Sequence, residues 1–541
     1  MSKNFCKFLS VLLSLLFLFG LLSACGSLDV GNSSDESTMT SSEEKPTEEI
    51  KKPQPFILEN MPEIDVSFIP EEITLTQEQI DKYSFTPKIY DGMPRIYINT
   101  DDGSNAFATD FNRSDKLLDN IDYVSATVST DCDDESLILN DVEASVKVRG
   151  NYTLNYDKKP IRIKFDKKQS MLGLHGGEKY KNWVLLADWK DLSMQNNMLA
   201  FYLGNAILGS DGYYCTDFRN VELYLNGEYW GVYLIVEQQE VKDGRFSTAE
   251  VEDDYEGTDI GYMFEFDGYY VQENNMPDGS GDPTFTIDHY NMPYDQPGYT
   301  VKSDIYSPDQ LNFISNYVQN VYNIMYSATQ TQRYMGFNDD YTDVIDGKYM
   351  TSQEAISSCI DVQSLVDTYI LNEIACDLDV DWSSFYLSLD MTENGSKKLV
   401  FEGPWDFDSS FGIINRINTY QKLYARDSLN PWFNLLANEQ WFQELVKQKW
   451  NELKQAGVLD NALKLSVYHK VTFEEYYNRN YEKWTKRVTG GNGDVVSEIN
   501  TYTTQAQAAD YQYRWLKSRL LYLDSQWKVI DINNKNTLEI Y

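Results

Sequence analysis

Apolar and polar positions alternate with a period of two in several short stretches of the first half of the chain. Arg95-Ile96-Tyr97-Ile98-Asn99 is one, and it runs into the turn Thr100-Asp101-Asp102-Gly103. Residues 144–149 form another. In residues 161–165, Ile161, Ile163 and Phe165 share one face, while Arg162 and Lys164 share the other. Residues 221–237 read as a hairpin with Asn226-Gly227 at its turn, and residues 261–267 as a further strand. The period then changes to that of a helix. Residues 194–208, 307–325 and 361–375 fit helices, with Pro308-Asp309 and Asp361 as start signals. Residues 431–437, 439–456, 461–480 and 504–526 complete a helical second half. Strands followed by helices predict an α+β fold, with a β-rich part over residues 56–240 and a largely helical part over 241–541.

The stretch 371–412 breaks the helical half. It reads as a helix end, an acidic loop with Asp377, Asp379 and Asp381, and strands 385–389 and 398–401 joined by Glu393-Asn394-Gly395-Ser396. A second acidic loop with Asp406 and Asp408 closes it. A hairpin brings its two ends together, so both carboxylate groups can face one space. Crowded carboxylates repel unless a cation joins them, and hard oxygen ligands suit Mg²⁺, Mn²⁺ or Ca²⁺. One Asp to accept a hydroxyl proton and a second, one hairpin later, to hold the metal is an arrangement suited to phosphoryl transfer. An acidic surface hairpin and a structural Ca²⁺ loop fit the same residues. Paired carboxylates also run glycoside hydrolysis, and the chain is rich in Tyr and Trp.

Further motifs narrow the choice. Asn372-Glu373, Asp379, Phe385-Tyr386-Leu387 and Pro404-Trp405-Asp406-Phe407-Asp408 with Ser410-Phe411-Gly412 resemble the CotH kinase family, the spore-coat protein H group of atypical protein kinases. So do Val146-Lys147-Val148-Arg149-Gly150-Asn151, Lys158-Lys159-Pro160, the hairpin around Asn226-Gly227, and the segment Gly261 to Asp267. The resemblance covers residues 90–527. It implies a kinase-like fold with a β-rich small lobe and a helical large lobe, using ATP with Mg²⁺ or Mn²⁺. It implies Asp379 as the base, Asp406 as metal ligand and Asp408 as a further one. Lys164, with Arg149 or Arg162, would hold the phosphates, and Glu237 would lie at the hinge beside the base. The chain departs from the family at two places. Ser384 stands where an Asn metal ligand is usual, and Asn196-Asn197 stands where Arg-Asn is expected. A kinase fold without catalysis, used as a surface binding or assembly module, is the alternative these departures support. No Walker GxxxxGK[ST] occurs in the sequence, so a P-loop enzyme is not indicated.

Composition adds the setting. The chain has 541 residues and a net charge of −38, which argues against nucleic acid as a partner; the family resemblance implies a protein substrate, such as a surface or coat protein. Lys3 and Lys7 precede an apolar run over residues 8–22, then Leu22-Ser23-Ala24-Cys25-Gly26. This resembles a bacterial lipoprotein signal, with residues 1–24 removed and Cys25 lipidated, so the expected location is extracytoplasmic and membrane-anchored. Residues 25–55, rich in Ser, Glu, Thr, Lys and Pro, read as a disordered tether. Cys132, Cys215, Cys359 and Cys376 permit two disulfides or four free thiols. The three His are scattered and no CxxC occurs, so His-based or zinc chemistry is poorly supplied.

Overall fold

A computed structural model describes residues 75–117, 121–242, 244–275, 281–290, 297–485 and 494–528. The signal segment, Cys25 and the tether lie outside the described residues.

Seven strands form a closed barrel: β1 (Arg95–Thr100), β2 (Val124–Asp131), β3 (Val142–Val148), β4 (Ile161–Gln169), β5 (Tyr180–Leu186), β6 (Phe218–Leu225) and β7 (Glu228–Glu237), hydrogen-bonded in the order β1-β2-β3-β4-β5-β7-β6. The barrel closes through a parallel β1–β6 pair in which Arg95 faces Glu222 and Ile98 faces Leu225. The period-two pattern fills the interior: Ile96, Ile98, Val128, Val146, Ile163, Trp183, Leu223 and Ile235 are buried together. In β7 the alternation is lost, because Val232, Leu234 and Val236 are buried on the other face, in the main core of the chain. Asn226 and Gly227 both take positive φ, 49° and 78°, as a two-residue hairpin turn requires. β2 was not expected. It alternates, but with Ser and Thr at the outward positions, so its apolar signal is weak.

A second sheet has the order β14-β13-β8-β10-β9, from β8 (Gly261–Asp267), β9 (Thr284–Phe285), β10 (Gly298–Val301), β13 (Phe385–Asp390) and β14 (Leu399–Phe401). β11 (Gly336–Phe337) and β12 (Val344–Ile345) form a small separate pair. The helices of eight or more residues are α1 (Asn196–Ile207), α2 (Pro308–Tyr326), α3 (Val362–Ala375), α4 (Gln440–Gln455), α5 (Val458–Thr472), α6 (Glu474–Lys483) and α7 (Gln505–Trp527). Capping boxes start α2 at Ser307 and α7 at Thr504, and the Asp361 side chain caps α3. The helix expected over residues 461–480 is broken at Phe473, whose buried ring packs 5.1 Å from His469 and 5.8 Å from Tyr476. Strands and helices together make the fold α+β. The four cysteines of the described residues are free thiols, so the disulfide alternative does not hold for them.

α3 is the axis of the helical part, and every residue from Ser364 to Ala375 is buried. Its charged residues have dedicated partners. Glu373 pairs with Arg519 of α7 at 2.7 Å, both side chains fully buried, and Asp367 pairs with Lys449 of α4 at 3.2 Å.

Candidate active site

A cleft of about 1070 Å³ is lined by the barrel end around Arg149–Asn151 and Arg162, by Asp188–Lys190, and by the two acidic loops. Each acidic loop is fixed by its backbone. α3 ends at Cys376 with φ 47°, which turns the chain toward the cleft. The Asp379 carbonyl accepts the N–H groups of Trp382 at 2.8 Å and Ser383 at 2.9 Å, while Asn430 donates to the Val380 carbonyl at 2.7 Å. Gly268 donates to the Trp382 carbonyl at 2.6 Å. The second loop is clamped from α1. Asn197 accepts the Phe407 N–H at 2.8 Å, and Asn196 donates to the Ser410 carbonyl at 3.0 Å. The Phe411 N–H reaches the Ala375 carbonyl at 2.6 Å and ties the second loop to the end of α3. Asp406 sits between these anchors at φ 63°, a left-handed conformation costly for a residue with a side chain.

Asp379, Asp381, Asp406 and Asp408 line this one cleft. Asp377 lies beneath, accepting the Ser410 hydroxyl at 3.1 Å and the Asp379 N–H at 3.3 Å. Burial, then the charge of Asp408, pushes the Asp379 carboxyl up to about 7. Burial, then Asp408 and Asp379, raises Asp406 well above the usual carboxylate range, and Arg149 and Lys190 oppose the rise. Among the described residues, no three His, Cys, Asp or Glu side chains converge as a formed metal site. The donor set still fits a hard divalent ion. Asp406, Asp408 and Ser384 offer oxygen ligands lining the same cleft, where a cation would offset the buried charge of the carboxylates.

Arg149 and Arg162 line the cleft. The Arg149 guanidinium lies 5.5 Å from the Trp405 ring, and the Arg162 Nε is buried without a hydrogen-bond partner. Lys164 does not line the cleft. It shares the face of Arg162 but lies two residues along β4, about 6–7 Å farther from the open end, and its ammonium sits 5.7 Å from the Tyr123 ring. Glu237 is also outside: it is buried, accepting the Asp217 N–H at 2.9 Å and facing His175 at 3.1 Å. Gln238, Gln239 and Glu240, the next residues, line the cleft instead. Asn196 turns out to be a clamp on the second acidic loop, with its oxygen held by Gln512 of α7.

Sequence reasoning missed several residues of the wall. Lys302, just past β10, meets Glu273 at 2.7 Å, Asp282 at 3.0 Å and Glu265 at 3.6 Å. Glu265, pushed up to about 7 by burial, accepts the Ser384 N–H at 2.8 Å. Lys190 donates to the Ser409 hydroxyl at 2.8 Å. A carboxylate in the middle of the apolar strand β8 was a readable signal for Glu265, whereas nothing near Lys302 marks it. A search of curated proteins finds no match. A family model described as CotH kinase protein matches residues 146–523, starting within β3 and ending within α7. By that match, which spans most of the sequence, the chain belongs to the CotH kinase family.

Proposed function

We propose that this protein is a metal-dependent phosphotransferase that moves the γ-phosphoryl group of ATP to a Ser or Thr hydroxyl of a protein, outside the cell and held to the membrane through Cys25. The observation that carries the chemistry is the gathering of Asp379, Asp406 and Asp408 in a cleft that Arg149 and Arg162 also line. Buried carboxylates with raised proton affinity are costly for the fold, and a bound divalent ion with a polyphosphate relieves that cost. In this reading the barrel is the small lobe of a kinase-like arrangement and the helical part is the large lobe.

Asp406 and Asp408 would hold Mg²⁺ or Mn²⁺, with Ser384 within the same wall. The ion would neutralise charge on the phosphates. Arg149, free of any carboxylate ion pair among the described residues, would bind phosphate oxygens, with Arg162 beside it. Asp379 would accept the proton of the acceptor hydroxyl. A carboxyl pushed up to about 7 by burial has the proton affinity a general base needs near neutral pH. The cleft wall around Gln238, Gln239 and Glu240 is where the nucleoside end would lie.

A second reading, a kinase fold that binds without transferring, draws on Asn196 and Ser384. Asn196 is neutral where the family pattern has an Arg, and Ser384 offers a hydroxyl where it has an Asn amide oxygen. The test is incubation of the purified protein with labelled ATP and Mn²⁺ or Mg²⁺, with casein as acceptor. Label in casein or in the protein itself supports transfer. Metal-dependent ATP binding with no label in either supports the second reading.

A further inference from the structure

Resting on that reading, we propose that Lys190 is a further catalytic residue: its ammonium contacts the phosphoryl group in flight, and the Ser409 hydroxyl holds it in place. The position is rigid. Lys190 lies in the short link between β5 and α1, and both flanking acids are tied to the fold. Asp188 accepts the Asn197 amide at 2.8 Å, and Asp191 accepts the N–H groups of Ser193, Gln195 and Asn196 at 2.8 Å each. From this link the Lys190 side chain crosses to the second acidic loop. It donates to the Ser409 hydroxyl at 2.8 Å, and that hydroxyl donates to Asp408 at 2.8 Å. Lys190, Asp379, Asp406 and Asp408 all line the same cleft.

Four other lysines line the cleft: the Lys147 ammonium lies 4.6 Å from the Tyr123 ring, and the other three are held by polar groups. Lys302 is held by Glu273, Asp282 and Glu265; Lys116 by Glu273 and Asn151; Lys158 by the carbonyls of Ala187 and Val232. Lys190 is held by a single hydroxyl, and an ammonium has three donors, so directions remain for a ligand. In the transfer, the acceptor hydroxyl oxygen bonds to the γ-phosphorus as the bond from that phosphorus to the bridging β–γ oxygen breaks. The bond's electron pair leaves on the nucleoside diphosphate, and the hydroxyl proton passes to Asp379. Charge on the phosphoryl oxygens must be met at that moment, and a cation already held in place does this with little reorganisation.

The test compares the full chain with Lys190→Ala, Lys190→Met and Lys190→Arg in Mn²⁺-dependent transfer from labelled ATP to casein. Lys190→Ala and Lys190→Met should lower kcat by about 10²–10³, the loss seen when one transition-state donor is removed, with KM for ATP changed by less than about threefold. Lys190→Arg should recover part of the rate, which a merely structural role would not do in a link this confined. Unchanged kcat in a folded Lys190→Met variant, or a raised KM with unchanged kcat, overturns the assignment while leaving the proposed function standing. A wild type that transfers to no acceptor overturns both.

Discussion

Two sets of buried carboxylates lie within one helix turn and one hairpin of each other, and they are treated in opposite ways. Glu373 and Asp367 on α3 have cations built in. Glu373 meets Arg519 at 2.7 Å and also accepts the N–H groups of Tyr424 at 2.7 Å and Arg426 at 2.9 Å. Asp377, Asp379 and Asp406 follow α3 and the hairpin with no ion pair among the described residues; each feels neighbouring carboxylates, and Lys190, with Arg149 at Asp406 and Arg416 at Asp379, only partly offsets them. The first set fixes the helical part. It pins residues 420–426 and α7 to the helix that delivers the Asp379 loop, since Arg519 also donates to the Tyr420 and Lys422 carbonyls. The second set holds repulsion that a proton or an added cation relieves. Buried charge paired by the chain serves the fold, and buried charge left for a ligand serves the chemistry.

Breaking the first set should give the largest effect. Arg519→Met leaves Glu373 buried without its cation, and should cost about 3–5 kcal/mol in chemical denaturation. A loss below about 1 kcal/mol would mean that Glu373 simply takes up a proton. Next in size is Arg149→Ala. It should weaken metal–ATP binding by about 1.5–3 kcal/mol, as for a hydrogen bond to a charged group, with the melting temperature little changed. Lys164→Ala, outside the cleft, should leave that affinity as it was; an equal loss in both would place the phosphates farther along β4.

Smaller again, Asp406→Asn should raise the stability of the metal-free protein by about 0.5–2 kcal/mol, because it removes a carboxylate from among its like neighbours. The same change in the first set, Glu373→Gln, should destabilise. The smallest effect is read per unit of pH. Burial holds the Asp379 carboxyl at about 7, above its value in an unfolded chain, so the native state binds the extra proton between about pH 4 and pH 7. Stability of the metal-free protein should therefore fall as pH rises through that window, by at most about 1.4 kcal/mol per pH unit for this group. Asp379→Asn should flatten the slope, which denaturant titrations at several pH values would show.

Much of this was readable in the sequence, and the exceptions have physical causes. Alternation placed β1, β3, β4 and the Asn226-Gly227 hairpin, because one face of each strand is buried in the barrel. It could not place β2, whose outward residues are mostly Ser and Thr, nor separate α5 from α6, because no Gly or Pro stands between residues 461 and 480 to mark the break at Phe473. The acidic loops were legible because unpaired Asp residues beside a hairpin contradict burial. Lys164 and Arg162 were indistinguishable by face alone: only the position along β4 decides which one reaches the open end. Glu237 looked like a cleft residue by chain order, but the strand buries it and the cleft begins one residue later. Lys190 and Lys302 carry no pattern, since their roles depend on residues far away in sequence, Ser409 and Glu273.

Metal-dependent ATP binding at the two acidic loops is tested by titration calorimetry of ATP into the wild type, Asp406→Ala and Asp379→Asn, each with and without Mn²⁺. The wild type and Asp379→Asn should bind ATP only with the metal present, and Asp406→Ala should not bind it under either condition. Binding by the wild type that is indifferent to Mn²⁺, or by Asp406→Ala at wild-type affinity, would contradict this.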